Sequence, residues 1–178
     1  ILNERSSKEA YLKSEATGNA VNPIVVGLRK KLGRFTKYII SNSLKGREYW
    51  SETLPPEKVF FVPNCVNRQE ITNTEFSPQL VAEDSTNKPY IISVGSLIPS
   101  KNYEVLLKAL PEALKKDDFI LYLIGSGPLE VKLNDYIIKN SMSSNVKLLG
   151  HRSDWWGLLK DAACLIHPSL YEGMPNVV

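Results

Sequence analysis

The feature that most constrains the fold is a repeated pattern in which a short apolar run enters a loop rich in glycine, serine or proline. Short apolar runs of this kind suit strands that are buried in a parallel sheet. The loops lead toward segments with helical periodicity, so strand and helix alternate and predict an α/β fold with a Rossmann-like parallel sheet. The loops should then meet at the carboxyl edge of that sheet. The apolar runs are Tyr90–Val94, Leu121–Ile124 and Cys164–His167.

The composition along the chain predicts two domains, at residues 1–67 and 89–178, joined by a polar interdomain linker at residues 68–88. The first domain carries helical patterns near 25–35 and 44–53 and strand patterns at 38–40 and 59–62. In the second domain the strand patterns lie at 90–94, 119–124, 146–149 and 163–167, and the helical patterns lie at 103–116, 128–141 and 154–161. Asn102 and Asp154 stand where two of these helices begin and are predicted to cap them.

Charge and cysteine content exclude several classes of protein. A net charge of +3 over 178 residues falls short of a nucleic-acid-binding signature. No apolar run approaches the roughly 20 residues of a membrane-spanning helix. Cys65 and Cys164 have no metal-ligand spacing, which predicts buried free thiols in a reducing compartment. We therefore expect a cytoplasmic protein. The basic stretch Arg29–Lys37 suits a solvated helix face, or else peripheral contact with anionic lipid at the inner face of a membrane.

Four motifs together make a specific signal: Val94–Leu97 with Lys101, then Leu123–Pro128, Val146–Gly150 and Pro168–Asn176. In this order they resemble the nucleotide-sugar half of the GT-B glycosyltransferases, specifically the retaining group 1 enzymes of glycosyltransferase family 4. The resemblance implies that residues 89–178 form the donor-binding domain and residues 1–67 the tail end of an acceptor-side Rossmann-like domain. It also implies a fragment truncated at both ends, because the family has further strands before Tyr38 and a second glutamate at position 180.

By this resemblance the whole protein is a hexosyltransferase that moves a sugar from a nucleotide diphosphate to an acceptor hydroxyl with retention of anomeric configuration. A UDP-, GDP- or ADP-sugar would be the donor, and a saccharide or lipid-linked acceptor of polysaccharide or glycolipid biosynthesis would receive the sugar. The fragment alone is expected to bind donor weakly and to transfer nothing. Alternatives are a sugar-phosphate synthase, a nucleotide-sugar epimerase of the same fold, or a degenerate or non-catalytic nucleotide-sugar-binding module.

The reaction places negative charge on the departing diphosphate, so hydrogen-bond donors and cations must be aimed at it. Lys101 matches the family's phosphate lysine, with a solvated lysine at a helix start as the alternative. Glu172 is an acceptor suited to the hydroxyls of the donor sugar, with a carboxylate satisfied by a helix start as the alternative. These two are the catalytic candidates. The family's retention is usually explained by same-face attack assisted by the phosphate, so Glu172 need not be a nucleophile.

The remaining donor-binding candidates would offer backbone N–H groups or short side chains. Ser96 stands where the family often has arginine. Because serine supplies no charge, more of the stabilisation of the diphosphate would have to come from Lys101. The glycines in this set also suit simple tight turns. The candidates are Gly95, Ser96, Gly125, Gly127, Ser169, Gly173, Met174, Pro175 and Asn176.

Other polar and aromatic residues are interpreted as structural. Arg152 suits an exposed site better than a place beside the base or the diphosphate. Trp155 and Trp156 are adjacent on a helix and point to different faces, so one of them should lie in the core. The sequence has no Asp-x-Asp metal motif, so we expect no metal and no cofactor.

Overall fold

The computed structural model describes residues 2–4, 23–66, 88–172 and 174–177. These residues fall into two compact units, and residues 171–176 belong to the first although they follow the second in sequence. The described part of the first unit is residues 2–4, 23–66, 171–172 and 174–176, and that of the second is residues 88–170 with Val177. The predicted linker at 68–88 lies outside the described residues, apart from Lys88.

The first unit is built on a parallel sheet in the order β1-β2-β3. Its core consists of Ile39, Trp50, Leu54 and Val59, so the second helix packs on the sheet through its single tryptophan. The described elements are β1 (Leu2–Glu4), α1 (Pro23–Gly33), β2 (Ile39–Ser41), α2 (Leu44–Ser51), a 3₁₀ turn (Pro56–Lys58) and β3 (Val59–Phe61).

Helix α2 begins where the sequence places a capping residue. The Ser43 hydroxyl accepts a hydrogen bond of 3.0 Å from the backbone N–H of Gly46. This bond satisfies one of the N–H groups that a helix start leaves without an intrahelical partner. The helix ends at Ser51, and Pro55 and Pro56, which cannot extend a helix, follow it.

The second unit is also a parallel α/β layer, with strands in the order β6-β5-β4-β7. The register of its central pair sets Tyr90 opposite Ile120 and Val94 opposite Ile124. The predicted parallel α/β fold is therefore confirmed in both units. The elements are β4 (Tyr90–Val94), α3 (Tyr103–Leu114), β5 (Ile120–Ile124), α4 (Glu130–Lys139), β6 (Val146–Leu148), α5 (Trp155–Leu159) and β7 (Cys164–Leu165), with a 3₁₀ turn at Pro99–Lys101.

Strand β5 is buried along its whole length because helices cover both of its faces. Leu121 and Leu123 point to one face, where they pack with residues of α3 and α4 such as Leu107 and Leu133. The alternate residues of β5 point to the other face, where Leu158 of α5 packs. A strand buried on both faces reads as a continuous apolar run, which is why it was recognisable in the sequence.

The order of the strands creates a switch in direction at β4. From β4 the chain continues to β5 and β6 on one side, and it then returns to place β7 on the other side of β4. In open parallel sheets such a switch leaves a crevice outside the carboxyl ends of the two strands, where ligands bind. The carboxyl ends of β4 and β7 therefore mark the position at which a ligand is expected.

The two predicted helix caps are wrong. Asn102 has a left-handed backbone (φ of 57°) and makes no capping bond with its side chain, since it closes the preceding 3₁₀ turn through its N–H to the Pro99 carbonyl. Asparagine tolerates this conformation better than most residues. Asp154 also makes no capping bond with its side chain, because its carboxylate accepts hydrogen bonds from Arg152 instead.

The predicted burial of the cysteines is also wrong. Cys65 and Cys164 are both free, as expected, but both are exposed. Cys65 lies in the loop after β3, and Cys164 begins β7, which pairs only with β4 among the described strands. The same edge position shortens β7 to two residues, although Ile166 adds one more bond from its N–H to the Ile92 carbonyl.

Gly125 is required by the contact between the loops that follow β4 and β5. Its φ of +148° is one that residues with a side chain rarely adopt, and a Cβ there would overlap the Gly95 carbonyl oxygen. Both groups belong to the backbone, so neither can move aside without breaking the bonds that hold the two loops together.

We therefore expect Gly125→Ala to destabilise the second unit by about 3 kcal/mol or more, measured by urea unfolding followed by circular dichroism. Gly27→Ala is the matched control, because Gly27 is exposed in helix α1 and nothing lies within 4 Å of its added methyl group. That change should stabilise the protein by about 0.5–1 kcal/mol. Equal effects of the two substitutions would contradict the proposed loop contact.

The Arg152–Asp154 pair gives the stability of the second unit a specific pH dependence. The hydrogen bond from Arg152 is the main cause that lowers the pKa of Asp154 below its usual value of 3.8. A carboxylate with a lowered pKa stabilises the fold above its usual pKa, and this contribution disappears as the pH falls through the folded-state value. The contribution is therefore complete at neutral pH.

We expect Asp154→Asn to lower the free energy of unfolding at pH 7 by about 1 kcal/mol. The difference from the parent protein should shrink as the pH is taken below 3.8, the usual pKa of this carboxyl. Urea unfolding of both proteins at a series of pH values measures this difference in the free energy of unfolding. Asp135→Asn, on an exposed position of α4, should change stability by less than about 0.5 kcal/mol. A difference for Asp154→Asn that does not vary with pH would contradict the ionic role of the pair.

Candidate functional site

Two hydrogen bonds join β4 and the segment after it to the segment that follows β7, at the switch in strand direction. The Ser93 hydroxyl donates to the Ile166 carbonyl at 2.7 Å, and the Leu170 N–H donates to the Ser100 carbonyl at 2.9 Å. The predicted residues Ser96, Lys101 and Ser169 all lie in these segments. The structure thus brings them to one edge of the sheet, where the topology places a ligand crevice.

Backbone bonds also connect the loop after β4 with the end of β5 and the loop after it, and connect that loop in turn with the loop after β6. The Gly95 N–H donates to the Ile124 carbonyl, the Leu97 N–H to the Ser126 carbonyl and the Leu129 N–H to the Leu97 carbonyl, at 2.9 to 3.0 Å. The Gly125 N–H donates to the Gly150 carbonyl at 2.7 Å. Four consecutive strand ends in the second unit are consequently fixed relative to one another.

The glycines of these loops have a structural role that the sequence did not reveal. A Cβ on Gly127 would lie only 2.6 Å from the Leu97 carbonyl oxygen, and a Cβ on Gly125 would overlap the Gly95 carbonyl. Both glycines therefore permit loops to approach each other, beyond the tight turns that the sequence suggested. Their predicted contact with a nucleotide stays a prediction.

Lys101 ends the 3₁₀ turn at Pro99–Lys101, and its side chain runs beside Gly95. Its Cε lies 3.5 Å from the point where a Cβ on Gly95 would be. The Tyr103 hydroxyl donates to the Gly95 carbonyl at 3.0 Å, which fixes the same stretch of backbone from another side. The side chain of Ser96 next to it is exposed. An ammonium and a hydroxyl therefore lie on one loop, where they can donate hydrogen bonds to an anionic ligand.

Ser169 has a neighbour that sequence analysis missed. Its hydroxyl lies 3.1 Å from Nε2 of His167, within hydrogen-bonding distance. Residues two apart in an extended segment point to the same side, and this spacing was the signal that could have revealed the pair. The imidazole thereby holds the Ser169 hydroxyl in place near the end of β7.

The segment that carries Glu172 belongs to the first unit. Glu172 is exposed, and it lines an open cavity of about 360 Å³. Gly173 lies outside the described residues, while Pro175 is half-buried and precedes a turn at Asn176 and Val177. The other residues that line the cavity are Asn42, Ser43, Leu44, Lys45, Phe61 and Met174.

Asn64 holds this segment, and sequence analysis did not find it as a site residue. Its Nδ2 donates to the Met174 carbonyl at 2.9 Å and to Oδ1 of Asn176 at 2.5 Å. Its Oδ1 accepts a hydrogen bond of 3.0 Å from Nδ2 of Asn42. Asn42 and Asn64 follow β2 and β3, two neighbouring parallel strands, at their carboxyl ends. Two amides placed in this way were a signal for a site at that edge.

Arg152, Trp155 and Trp156 make contacts that stabilise the second unit. Arg152 pairs with Asp154, and its side chain is only 15% exposed. Trp155 is 8% exposed and lies in the core, as predicted for one of the two tryptophans. Trp156 stacks on it with 3.6 Å between the ring centroids, so one face of the Trp156 ring is already occupied.

The described residues contain neither a cluster of metal ligands nor a membrane-spanning helix. No group of three or more His, Cys, Asp or Glu side chains in these ranges is arranged to hold a metal ion. In the same part of the chain, no helix has both the length and the apolar character that crossing a membrane requires.

The family described as glycosyl transferases group 1 matches residues 79–178. An uncharacterized glycosyltransferase of Methanocaldococcus jannaschii is 28% identical over 151 residues, which cover 78% of this chain and 41% of that protein. The Escherichia coli protein named UDP-Gal:alpha-D-GlcNAc-diphosphoundecaprenol alpha-1,3-galactosyltransferase is 27% identical over 136 residues, covering 69% of this chain and 34% of that protein.

Among solved structures, Anabaena HepE in complex with UDP and glucose matches with a TM-score of 0.66 and 20% identity. The match covers 88% of this chain and 44% of that one. The chain therefore spans less than half the length of each of these three proteins. The likeness to this solved structure confirms the predicted Rossmann-like fold of the GT-B type. Because the family matches more than half of its residues, the chain belongs to the group 1 glycosyl transferases.

Proposed function

We propose that the protein of which this chain is part transfers a hexose from a nucleotide diphosphate donor to an acceptor hydroxyl, with retention of anomeric configuration. The observation that carries the proposal is the convergence of Ser96, Lys101 and Ser169 at the switch in strand direction of the second unit. Membership of the group 1 glycosyl transferases agrees with it.

The charge of the reaction explains what Lys101 does in this proposal. When the bond between the anomeric carbon and the diphosphate breaks, negative charge grows on the departing phosphate oxygens. The Lys101 ammonium donates hydrogen bonds to these oxygens, and the Ser96 hydroxyl adds one donor without a charge. Ser169 and the backbone N–H group at Gly127 complete the set of donors, while Gly95 and Gly125 shape the loops, since their own N–H groups donate to the Ile124 and Gly150 carbonyls.

Glu172 recognises the transferred sugar. Its carboxylate accepts hydrogen bonds from sugar hydroxyls, and the backbone of Gly173 and Met174 supplies N–H donors, while Pro175 and Asn176 shape the same segment. The acceptor hydroxyl attacks from the face that the phosphate leaves, and a departing phosphate oxygen takes its proton, so no side chain must serve as nucleophile. The anomeric coupling constant of the product, measured by proton NMR, tests retention, and an inverted product would exclude this route.

The names of two similar proteins suggest the substrates. HepE was solved with UDP and glucose, and the Escherichia coli relative is named for transfer of galactose from UDP to a sugar on a lipid diphosphate. We therefore propose a UDP-hexose donor, with GDP- and ADP-sugars as the alternatives, and a saccharide on a lipid carrier as the acceptor. Such a reaction belongs to polysaccharide or glycolipid synthesis at the cytoplasmic side of a membrane.

Lys101→Ala should weaken binding of UDP and of UDP-glucose by about 10- to 100-fold, because it removes a charge-assisted hydrogen bond to phosphate. Isothermal titration calorimetry of the chain measures this. The same titrations with GDP, ADP and their sugars identify the base. EDTA is present throughout and Mg²⁺ is added in a parallel series, since the proposal needs no metal.

Lys108→Ala is the matched control, because Lys108 is an exposed lysine on the following helix α3. It should leave both affinities within about twofold of the parent values. Binding that Lys101→Ala does not weaken would remove Lys101 from the donor site. Binding that appears only with Mg²⁺ would contradict the metal-free mechanism.

We also propose that helix α1 contacts an anionic membrane surface. Ile24, Leu28 and Leu32 follow one another at four-residue spacing and are 53% to 74% exposed, so they form an apolar stripe along the helix. Phe35, just after the helix, is 83% exposed. Basic side chains flank this stripe, which is the arrangement of a helix that lies on lipid headgroups. They are Lys31, Arg34 and Lys37, whereas the Lys30 ammonium donates a hydrogen bond of 3.1 Å to the Glu52 carboxylate.

Leu28→Glu should reduce co-sedimentation with vesicles of phosphatidylglycerol and phosphatidylcholine by about tenfold or more, through lost apolar burial and added repulsion. Val131→Glu is the control, because Val131 is 72% exposed on α4 of the other unit. It should bind as the parent does. A parent protein that does not sediment with anionic vesicles would contradict the proposal.

A further inference from the structure

Asn64 makes an unusual number of contacts with the segment that carries Glu172. Besides the two bonds from its Nδ2 to Met174 and Asn176, its backbone N–H donates to the Met174 sulfur at 3.2 Å. The single residue Asn64 therefore fixes both the backbone and the side chain of Met174. All these residues belong to the first unit, so the bonds are internal to it.

The orientation of the Asn64 amide is determined by its partners. Its Nδ2 faces two oxygens, the Met174 carbonyl and Oδ1 of Asn176, so its Oδ1 must face Asn42. Asn42 is 8% exposed and presents its Nδ2 as the donor to that oxygen. Its own Oδ1 is buried without a hydrogen-bond partner among the described residues. Leaving an acceptor unsatisfied is costly, so Asn42 holds this orientation for the bond to Asn64.

These bonds determine which positions the Glu172 carboxylate can occupy. Glu172 is exposed on the wall of the cavity and precedes Met174 by only two residues. An exposed carboxylate on a short segment takes its position largely from the backbone that carries it. The chain of amides Asn42–Asn64–Asn176 therefore acts on Glu172 through the backbone at Met174.

We propose that Asn64 is a positioning residue for recognition of the donor sugar. It holds Met174 and Asn176 so that the Glu172 carboxylate meets the sugar hydroxyls, and it does not touch the substrate itself. This inference rests on the proposed role of Glu172 in the glycosyl transfer. It adds Asn64, a residue of the first unit, to the recognition of the sugar. Asn64 acts through the hydrogen bonds that its side-chain N–H groups donate.

The substitution Asn64→Asp removes the side-chain N–H donors of Asn64 and keeps the shape of the side chain. It therefore tests the role of these hydrogen-bond donors alone. The oxygen that faces Asn42 is kept, but a carboxylate oxygen replaces the amide nitrogen that faces the Met174 carbonyl. The side-chain amide of Asn176 can rotate to donate to that oxygen, whereas the backbone carbonyl of Met174 cannot. The segment should therefore loosen at Met174 while the surrounding fold stays intact.

Two measurements on the chain report this loosening. Hydrogen exchange of a peptide that covers residues 170–177 should become faster in Asn64→Asp, with exchange in residues 88–165 unchanged. The affinity for UDP-glucose should fall by about tenfold, and the affinity for UDP should change by less than about twofold. GDP-mannose with GDP, or ADP-glucose with ADP, serves as the ligand pair if the calorimetric series identifies another base.

A double-mutant cycle separates positioning from general destabilisation. If Asn64 acts through Glu172, the double variant Asn64→Asp/Glu172→Gln should bind UDP-glucose within about twofold of the weaker single variant. The losses of Asn64→Asp and Lys101→Ala should instead multiply, because these residues act on different parts of the donor. Coupling to Glu172 but not to Lys101 is a result that a merely structural role would not produce.

Asn145→Asp provides the matched control. The Nδ2 of Asn145 also donates to a backbone carbonyl, that of Phe119, at 2.9 Å and to a side-chain oxygen, Oδ1 of Asp118, at 3.2 Å. The variant should lower the melting temperature without changing the ratio of the UDP-glucose and UDP affinities.

The possible outcomes distinguish this inference from the proposed function. A parent protein that binds no nucleotide and no nucleotide sugar would remove the donor site, and the inference with it. If the parent binds and Asn64→Asp leaves exchange or UDP-glucose affinity unchanged, the positioning role alone is overturned. An equal loss for UDP and UDP-glucose, or losses that multiply with those of Glu172→Gln, would overturn it in the same way.

Discussion

The arrangement of the second unit depends on backbone hydrogen bonds between the loops at the carboxyl ends of its strands. The bonds from Gly95 to Ile124, from Leu97 to Ser126 and from Gly125 to Gly150 bring three loops together with no side chain between them. Such an approach leaves no room for a Cβ at Gly125 or Gly127. Glycine at these positions is therefore a condition for the edge of the sheet to exist in this form, whether or not a ligand is bound.

The backbone bonds at this edge support the loop that carries Ser96 and Lys101. Strand β5 is buried on both faces, and the loops that follow β4, β5 and β6 are tied to each other by their own backbones. Lys101 and Ser96 thus stand on a support that does not need a ligand to become ordered. A cation presented in this way can stabilise developing charge without the cost of reorganising the protein.

The segment with Glu172 is held by a different kind of interaction. Side-chain amides, and not a ladder of backbone bonds, connect Asn42, Asn64 and Asn176. Bonds between partly exposed side chains are individually weak and depend on the identity of each residue. Lys101 therefore lies on a scaffold of backbone bonds, whereas a single substitution can alter the position of Glu172.

The sequence by itself determined the parallel α/β fold and most of its elements, because strands buried on both faces appear as continuous apolar runs and amphipathic helices repeat with their own period. It also named Lys101, Glu172 and the glycine loops as candidates, through the resemblance of their motifs to those of the group 1 enzymes. Only the tertiary structure decided what depends on contacts between distant residues. The left-handed backbone of Asn102, the pairing of Asp154 with Arg152 and the exposure of Cys65 and Cys164 all follow from such contacts. The bonds of Asn64 to a segment 110 residues away belong to the same class, since local sequence carries no information about which partner a surface amide will meet.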